Sequence, residues 1–250
     1  MTDGPTARDR IELEVMLRGF MISRMLRLVA DIGVADRIPA DGQVAVCELA
    51  RACDVQEEPL LRVLRSLASV GVFRLSPQGV AGHTAKSVLL RTDVADSAHY
   101  AARFWSGPGS WGAWGRLDAA LTGGVPHEAA WGMGRFAYLR DHSEEARAFV
   151  VAGLAPDAVL AGRIQVVAGS FLDAVPAAGA DHVLLSRVLH DWPDAECVRI
   201  LGKCRAAMAP GALLLLIEGL LEPDPERGKA TDYLIDMQMM AMFGAARERT

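Results

Sequence analysis

Cysteine is scarce in this chain, with only Cys47, Cys53, Cys197 and Cys204 among 250 residues. No pair has the spacing of a zinc knuckle or a redox motif, and Cys197 and Cys204 lie on one expected helix. At 1.5 Å rise per residue they are roughly 10 Å apart, too far for a disulfide. They read as small core hydrophobes in a reducing compartment. Long apolar runs are also missing. The longest, ALLLLI at 212–217, suits a buried strand and is far too short to span a bilayer. The N-terminal MTDGPTARDRIELE lacks the apolar centre of an export signal, so the expected location is the cytoplasm, without membrane attachment. Basic excess is absent too. Lys and Arg number 26 against 31 Asp and Glu, which gives no electrostatic reason to expect nucleic acid as a partner.

What is present is a chain that is 51% hydrophobic, with 24 glycines and 12 prolines, enough for a real core and one or two domains. Helical periodicity runs through 7–30 on a broad apolar face that includes Ile11, Val15, Met21 and Leu28, and Gly33 stops it. Further helices are expected near 44–53 and 57–70. VFRLSPQGVAGH then reads as two short strands around a Pro-Gln-Gly turn. Three helices and a hairpin form the winged-helix pattern, here over residues 1–100. Such a module either grips DNA or presents helices for dimerisation. Acidic and basic residues nearly balance in it, and the apolar first helix favours burial against a second subunit.

Residues 101–149 read as a helical connector. Within it RFWSGPGSWGAWG (103–115) carries three tryptophans among glycines. These either pack the connector or, with Trp105 as the candidate, form an aromatic wall for a flat ligand. From 150 onward the pattern becomes α/β. RIQVVAGSF (163–171) and DHVLLSRVL (181–189) read as strands, 193–208 as a helix with Pro193 in its first turn, and ALLLLIEG (212–219) as the next strand. Two continuously apolar strands around a helix predict a parallel βαβ unit buried on both faces.

In a right-handed crossover both strands end at one edge of the sheet, the edge where open α/β folds bind ligands. His190 follows the first strand and Glu218 ends the second. Neighbouring strands, about 4.8 Å apart, would bring the two within reach. A base needs a group to orient it and to compensate its charge after it takes a proton. Asp191 is a candidate cap for the helix that follows, and Trp192 a structural aromatic.

LHDW at 189–192, the strand ending Ile-Glu at 217–218 and the closing RERT at 247–250 together resemble the small-molecule O-methyltransferases that use S-adenosylmethionine, of plant phenolic and bacterial polyketide-tailoring type. DIGVADRI, CELARACDV and LLRVLRSLASVGVF resemble the dimerising winged-helix domain of that family. The resemblance implies a Rossmann-like methyltransferase domain over 150–250 and a homodimer acting on a hydroxylated aromatic small molecule. It implies His190 as general base, with Glu218 and Glu248 flanking it. Gly169, Ser170, Phe171, Ser186 and Arg187 match positions facing S-adenosyl-L-methionine, and Arg135 in GRF matches one near its carboxylate end. No metal is implied. Asp191 matches a position facing substrate or histidine. Asp236, Met237 and Met240 lie on a methionine-rich helix resembling the substrate-pocket helix, where a methionine stripe could equally be core filler.

One block of the family pattern is missing. Members carry a strand, a loop of the type Asp-x-Gly-Gly-Gly-x-Gly, a helix and a second strand ending in an acidic residue. FVVAGLAPDAVLAGR at 149–163 stands where that block belongs, and no such loop occurs in the 250 residues. The family also continues beyond RERT. The expectation is therefore a truncated Rossmann-like domain. It is consistent with an enzyme lacking an internal block, with a remnant that keeps only its dimerising half, or with a partner chain that completes the sheet. Weak cofactor binding is expected.

Overall fold

The computed structural model describes residues 4–153, 169–176, 180–244 and 248. Most of the strand expected at 163–171, most of the 149–163 stretch and all of RERT except Glu248 lie outside the described residues. The chain divides into two compact units, Met1–Gly107 with Ser143–Pro156, and Pro108–His142 with Asp157–Thr250.

In the first unit Thr6 opens α1 (Ala7–Leu17) with a capping box. Its hydroxyl accepts the Asp9 N–H, and the Asp9 carboxylate accepts the Thr6 N–H. The single helix expected over 7–30 is two. The chain breaks at Arg18 before α2 (Gly19–Asp31), beside a glycine that contributes little helix propensity. There follow α3 (Val34–Arg37), β1 (Gln43–Ala45), α4 (Val46–Ala52), α5 (Glu57–Ser69), β2 (Phe73–Leu75), β3 (Val80–His83), α6 (Ala85–Val88) and α7 (His99–Trp105). Gly79, at φ +74°, closes the hairpin turn, and its N–H donates to Ser76 O at 3.0 Å. The expected two strands are joined by β1 in an antiparallel sheet of order β1-β3-β2. Val29, Leu49, Leu64, Leu67 and Phe73 make the core beneath it. By contrast α1 buries nothing and exposes Ile11, Leu13, Val15 and Met16.

The second unit begins with α8 (Pro108–Trp114), α9 (Pro126–Trp131) and α10 (Arg135–Asp141). After α11 (Ser143–Gly153), which belongs to the first unit, it resumes with β4 (Ala180–Ser186), α12 (Asp194–Ala207), β5 (Met208–Ile217) and α13 (Ala230–Phe243). β4 and β5 pair in parallel, with Val183 opposite Leu214 and Ser186 opposite Ile217. Cys197, Ile200 and Cys204 of α12 pack on Val183 and Leu185, so the expected stripe does face the sheet.

Three local expectations change. β4 ends at Ser186 rather than at 189, because the chain turns into a 3₁₀ segment, Leu189–Asp191. Pro193 is the cap of α12, and Asp191 lies in the 3₁₀ segment without capping the helix. Among the described residues the sheet is covered on one face only. Leu184, Leu213, Leu215 and Ile217 stay 48–57% exposed on the other face, since no described residue lies over them. Among the described residues, no helix is long and apolar enough to cross a membrane.

Candidate active site

The site grows out of the end of β4. Arg187 adopts φ +52°, an uncommon conformation for a residue with a side chain, and its N–H still donates to Ile217 O at 2.9 Å. The ladder thus extends one residue and then breaks sharply. The turn that follows leaves two backbone N–H groups, those of Val188 and Leu189, aimed at one oxygen. Oε1 of Glu218, just past the end of β5, accepts both, at 3.0 and 2.8 Å. A carboxylate accepting two N–H donors is a strong anchor. It fixes the turn that presents the next residue, His190.

His190 is 6% exposed, and its ring sits among three carboxylates. Nδ1 lies 2.8 Å from Glu248 Oε1 and 3.8 Å from Glu218 Oε2, while Nε2 lies 3.4 Å from Asp191 Oδ1. Glu248 is itself buried. Burial pushes the Asp191 carboxyl up to about 7. His190 pulls against that shift, and the carboxylates of Glu218 and Glu248 reinforce it. The ring therefore has one nitrogen engaged by a short carboxylate contact and the other beside an acid that changes charge near neutrality.

Asp191 also lines a cavity of about 230 Å³, with Arg135, Phe136, Trp192, Met242 and Phe243 around it. Phe136 stacks on Trp192 with centroids 5.5 Å apart and planes 14° from parallel, and Phe243 meets Phe136 at 5.2 Å. This wall suits a flat aromatic ligand. Sequence reasoning missed Phe136 and Phe243. The only available signal for Phe136 was its place in GRF, next to Arg135.

The remaining candidates are distributed as follows. Gly169 and Ser170 are exposed, and Phe171 meets Trp192 edge-on at 5.9 Å, which brings that segment to the edge that carries His190. Ser186 and Arg187 are exposed at the end of β4. Arg135 is buried, with its guanidinium 5.6 Å from the Tyr138 ring. On α13, Met242 lines the cavity, whereas Met237 and Met240 are half-buried outside its lining. Asp236 directs Oδ1 to the backbone N–H of Glu248, at 2.9 Å. Trp105 belongs to the first unit, where it is exposed and packs edge-on against Phe104.

Comparison with known proteins gives this geometry its context. The O-methyltransferase domain family matches residues 150–250, and the O-methyltransferase dimerisation domain matches residues 15–95. The 3-amino-4-hydroxybenzoate 4-O-methyltransferase of Streptomyces cremeus is 30% identical over 307 aligned positions, which cover 98% of this chain and 82% of that protein. The chain belongs to the O-methyltransferase family. Because the aligned length exceeds the 250 residues present, that O-methyltransferase carries internal stretches without a counterpart here. The crystal structure of LaPhzM superposes with a TM-score of 0.86 at 27% identity, covering 96% of this chain and 89% of that one. A second solved O-methyltransferase, NcsB1 from neocarzinostatin biosynthesis, holds S-adenosylmethionine and 2-hydroxy-5-methyl naphthoic acid. It is 26% identical with a TM-score of 0.65, covering 92% of this chain and 86% of its own.

Proposed function

We propose that this chain is an S-adenosyl-L-methionine-dependent O-methyltransferase for a hydroxylated aromatic or polyketide-like molecule, with His190 as the general base. The observation that carries the reading is the 2.8 Å contact between Nδ1 of buried His190 and Glu248 Oε1. A carboxylate at Nδ1 holds the proton on that nitrogen and leaves the Nε2 lone pair available. A phenol with a pKa of about 10 is mostly protonated at neutral pH, so a neutral imidazole placed to remove its proton as the oxygen attacks assists the reaction. Once Nε2 is protonated, the imidazolium lies between Glu248 and an ionised Asp191, both of which stabilise it. The stacked Phe136 and Trp192 support a flat acceptor beside that nitrogen.

At the sheet edge some of the described residues would face the cofactor, although the sequence lacks the family's glycine-rich loop for its methionine end. Ser186 and Arg187 at the end of β4, together with Gly169, Ser170 and Phe171, would hold it, with Arg135 toward its carboxylate end. When bound, S-adenosyl-L-methionine supplies an electrophilic sulfonium methyl group. The protein's part is to hold the acceptor hydroxyl in line and to take its proton, a division of labour in which positioning does much of the work. A homodimer is the assembly proposed, supported by the dimerisation-domain match and by the exposed apolar side chains of α1.

A second reading, a catalytically degenerate dimerising protein derived from such an enzyme, is favoured by the absent glycine-rich loop and by a face of the β4–β5 sheet that no described residue covers. Methyl incorporation from labelled S-adenosylmethionine into a panel of hydroxylated aromatics separates the two. The first reading expects turnover by the wild type and a loss of about 10²-fold or more in His190→Ala. Equal rates in wild type and variant would remove His190 from the mechanism, and no turnover with any acceptor would leave the degenerate reading standing.

A further inference from the structure

We propose that Asp236 is a positioning residue that seats Glu248 against His190, so that the side chain acts on the base through Glu248 and not on the acceptor. The inference rests on the reading of His190 as base. Glu248 is 4% exposed, and its Oε2 has no hydrogen-bond partner among the described residues, so its carboxylate is buried at a cost that one contact to an imidazole only partly offsets. Gly219 faces the same oxygen, and a Cβ there would lie 2.9 Å from it, so residue 219 itself offers the carboxylate no holding group. Something else must fix this residue.

The structure provides one such contact. Asp236 Oδ1 accepts the Glu248 N–H at 2.9 Å, so the backbone of Glu248 is held by a charged acceptor on α13. α13 is in turn pinned two residues further on. Gln238 is buried, accepts the Trp114 Nε1–H at 2.6 Å, and donates to Ser110 Oγ at 3.4 Å, both on α8. Ala241 and Met242 pack with Ala113 of the same helix. The order of support therefore runs from α8 to α13, through Asp236 to the Glu248 backbone, and from the Glu248 carboxylate to Nδ1 of His190. Asp236 is absent from the lining of the aromatic cavity, which agrees with a role behind the base.

The test reads the His190 tautomer directly, by ¹⁵N NMR of the full-length protein labelled at histidine, at a pH well above the usual imidazole pKa. Wild type is expected to show His190 protonated at Nδ1. Glu248→Ala and Asp236→Ala are each expected to lower that population by roughly half or more, because neither leaves a seated carboxylate at Nδ1. Asp236→Asn keeps an acceptor oxygen and is expected to match wild type, which a loss of general packing would not predict. Circular dichroism monitors the fold, and if Asp236→Ala is unfolded, the near-isosteric Asp236→Leu takes its place. An unchanged tautomer in the Asp236 variant while Glu248→Ala loses it would overturn the proposal. So would an unchanged tautomer in both, or Asp236→Asn behaving like Asp236→Ala. Failure of the base reading shows separately, as wild-type methyl transfer by His190→Ala.

Discussion

Oε1 of Glu218 accepts the backbone N–H of Leu189 at 2.8 Å, one residue before the histidine it serves. The same oxygen takes the Val188 N–H at 3.0 Å, so Glu218 holds the turn more directly than it holds the imidazole, which is 3.8 Å away. Glu218→Ala leaves two N–H groups at a crowded strand end without their acceptor. A loss of about 2 kcal/mol in denaturant unfolding is expected, with a fall in methyl transfer. Glu218→Gln keeps an acceptor oxygen and should lose much less stability. If the two variants unfold at the same denaturant concentration as wild type, the carboxylate does not anchor the turn.

Gly219 makes a complementary case, since its smallness matters more than its flexibility. An added Cβ would come within 2.9 Å of Glu248 Oε2, and the flexible end of the glutamate would have to give way. Gly219→Ala should therefore slow turnover by on the order of tenfold by shifting the carboxylate off Nδ1. Thermal stability should hold or rise slightly, because alanine restricts the unfolded chain. A paired fall in stability and rate would point to ordinary packing damage.

Asp191 gives a pH prediction with a definite sign. Its carboxyl is raised from 3.8 to about 7, chiefly by burial. Between those values the unfolded chain has lost a proton that the folded protein retains, so this group makes stability fall as pH rises through the window. Below pH 3.8 the group contributes no penalty, and above about 7 the penalty is complete. Asp191→Asn mimics the neutral form, and its unfolding midpoint should decline less over that range than that of wild type. Parallel midpoint curves for the two proteins would rule out the shift.

The legible parts of the molecule were those that depend on local pattern and strand direction. β4 and β5 declared themselves by apolar runs on either side of a capped helix, and parallel pairing then required His190 and Glu218 to share one edge. Glu248 came only through family resemblance, because its contact with His190 spans 58 residues and no periodicity reports it. The break at Arg18 was hidden by apolar residues that continue on both sides of it. The stacking of Phe136 on Trp192 depends on how α10 meets the turn after β4, which neither segment encodes alone. Burial of both sheet faces was a sound inference from Leu213, Leu215 and Ile217. Among the described residues one face stays open, as the missing family block leads one to expect, because a strand's composition records that it needs a cover and not which residues supply it.

The missing glycine-rich loop bears on cofactor affinity. S-adenosylmethionine is a charged, flexible ligand, and binding it requires backbone groups held rigidly enough to offset the loss of its freedom. Here Gly169, Ser170 and Ser186 stand exposed at the edge of the sheet, which among the described residues has two strands, and the sequence has no glycine-rich turn to wrap the methionine end. Calorimetric titration of the purified protein should give weak or no saturable heat with S-adenosylmethionine, while a relative that has the loop binds under the same conditions. Turnover, where present, should then depend on cofactor concentration without saturating over the range in which that relative saturates. Tight one-to-one binding would instead mean that another part of the chain provides the cradle, and residues 154–168 would be the first place to substitute in search of it.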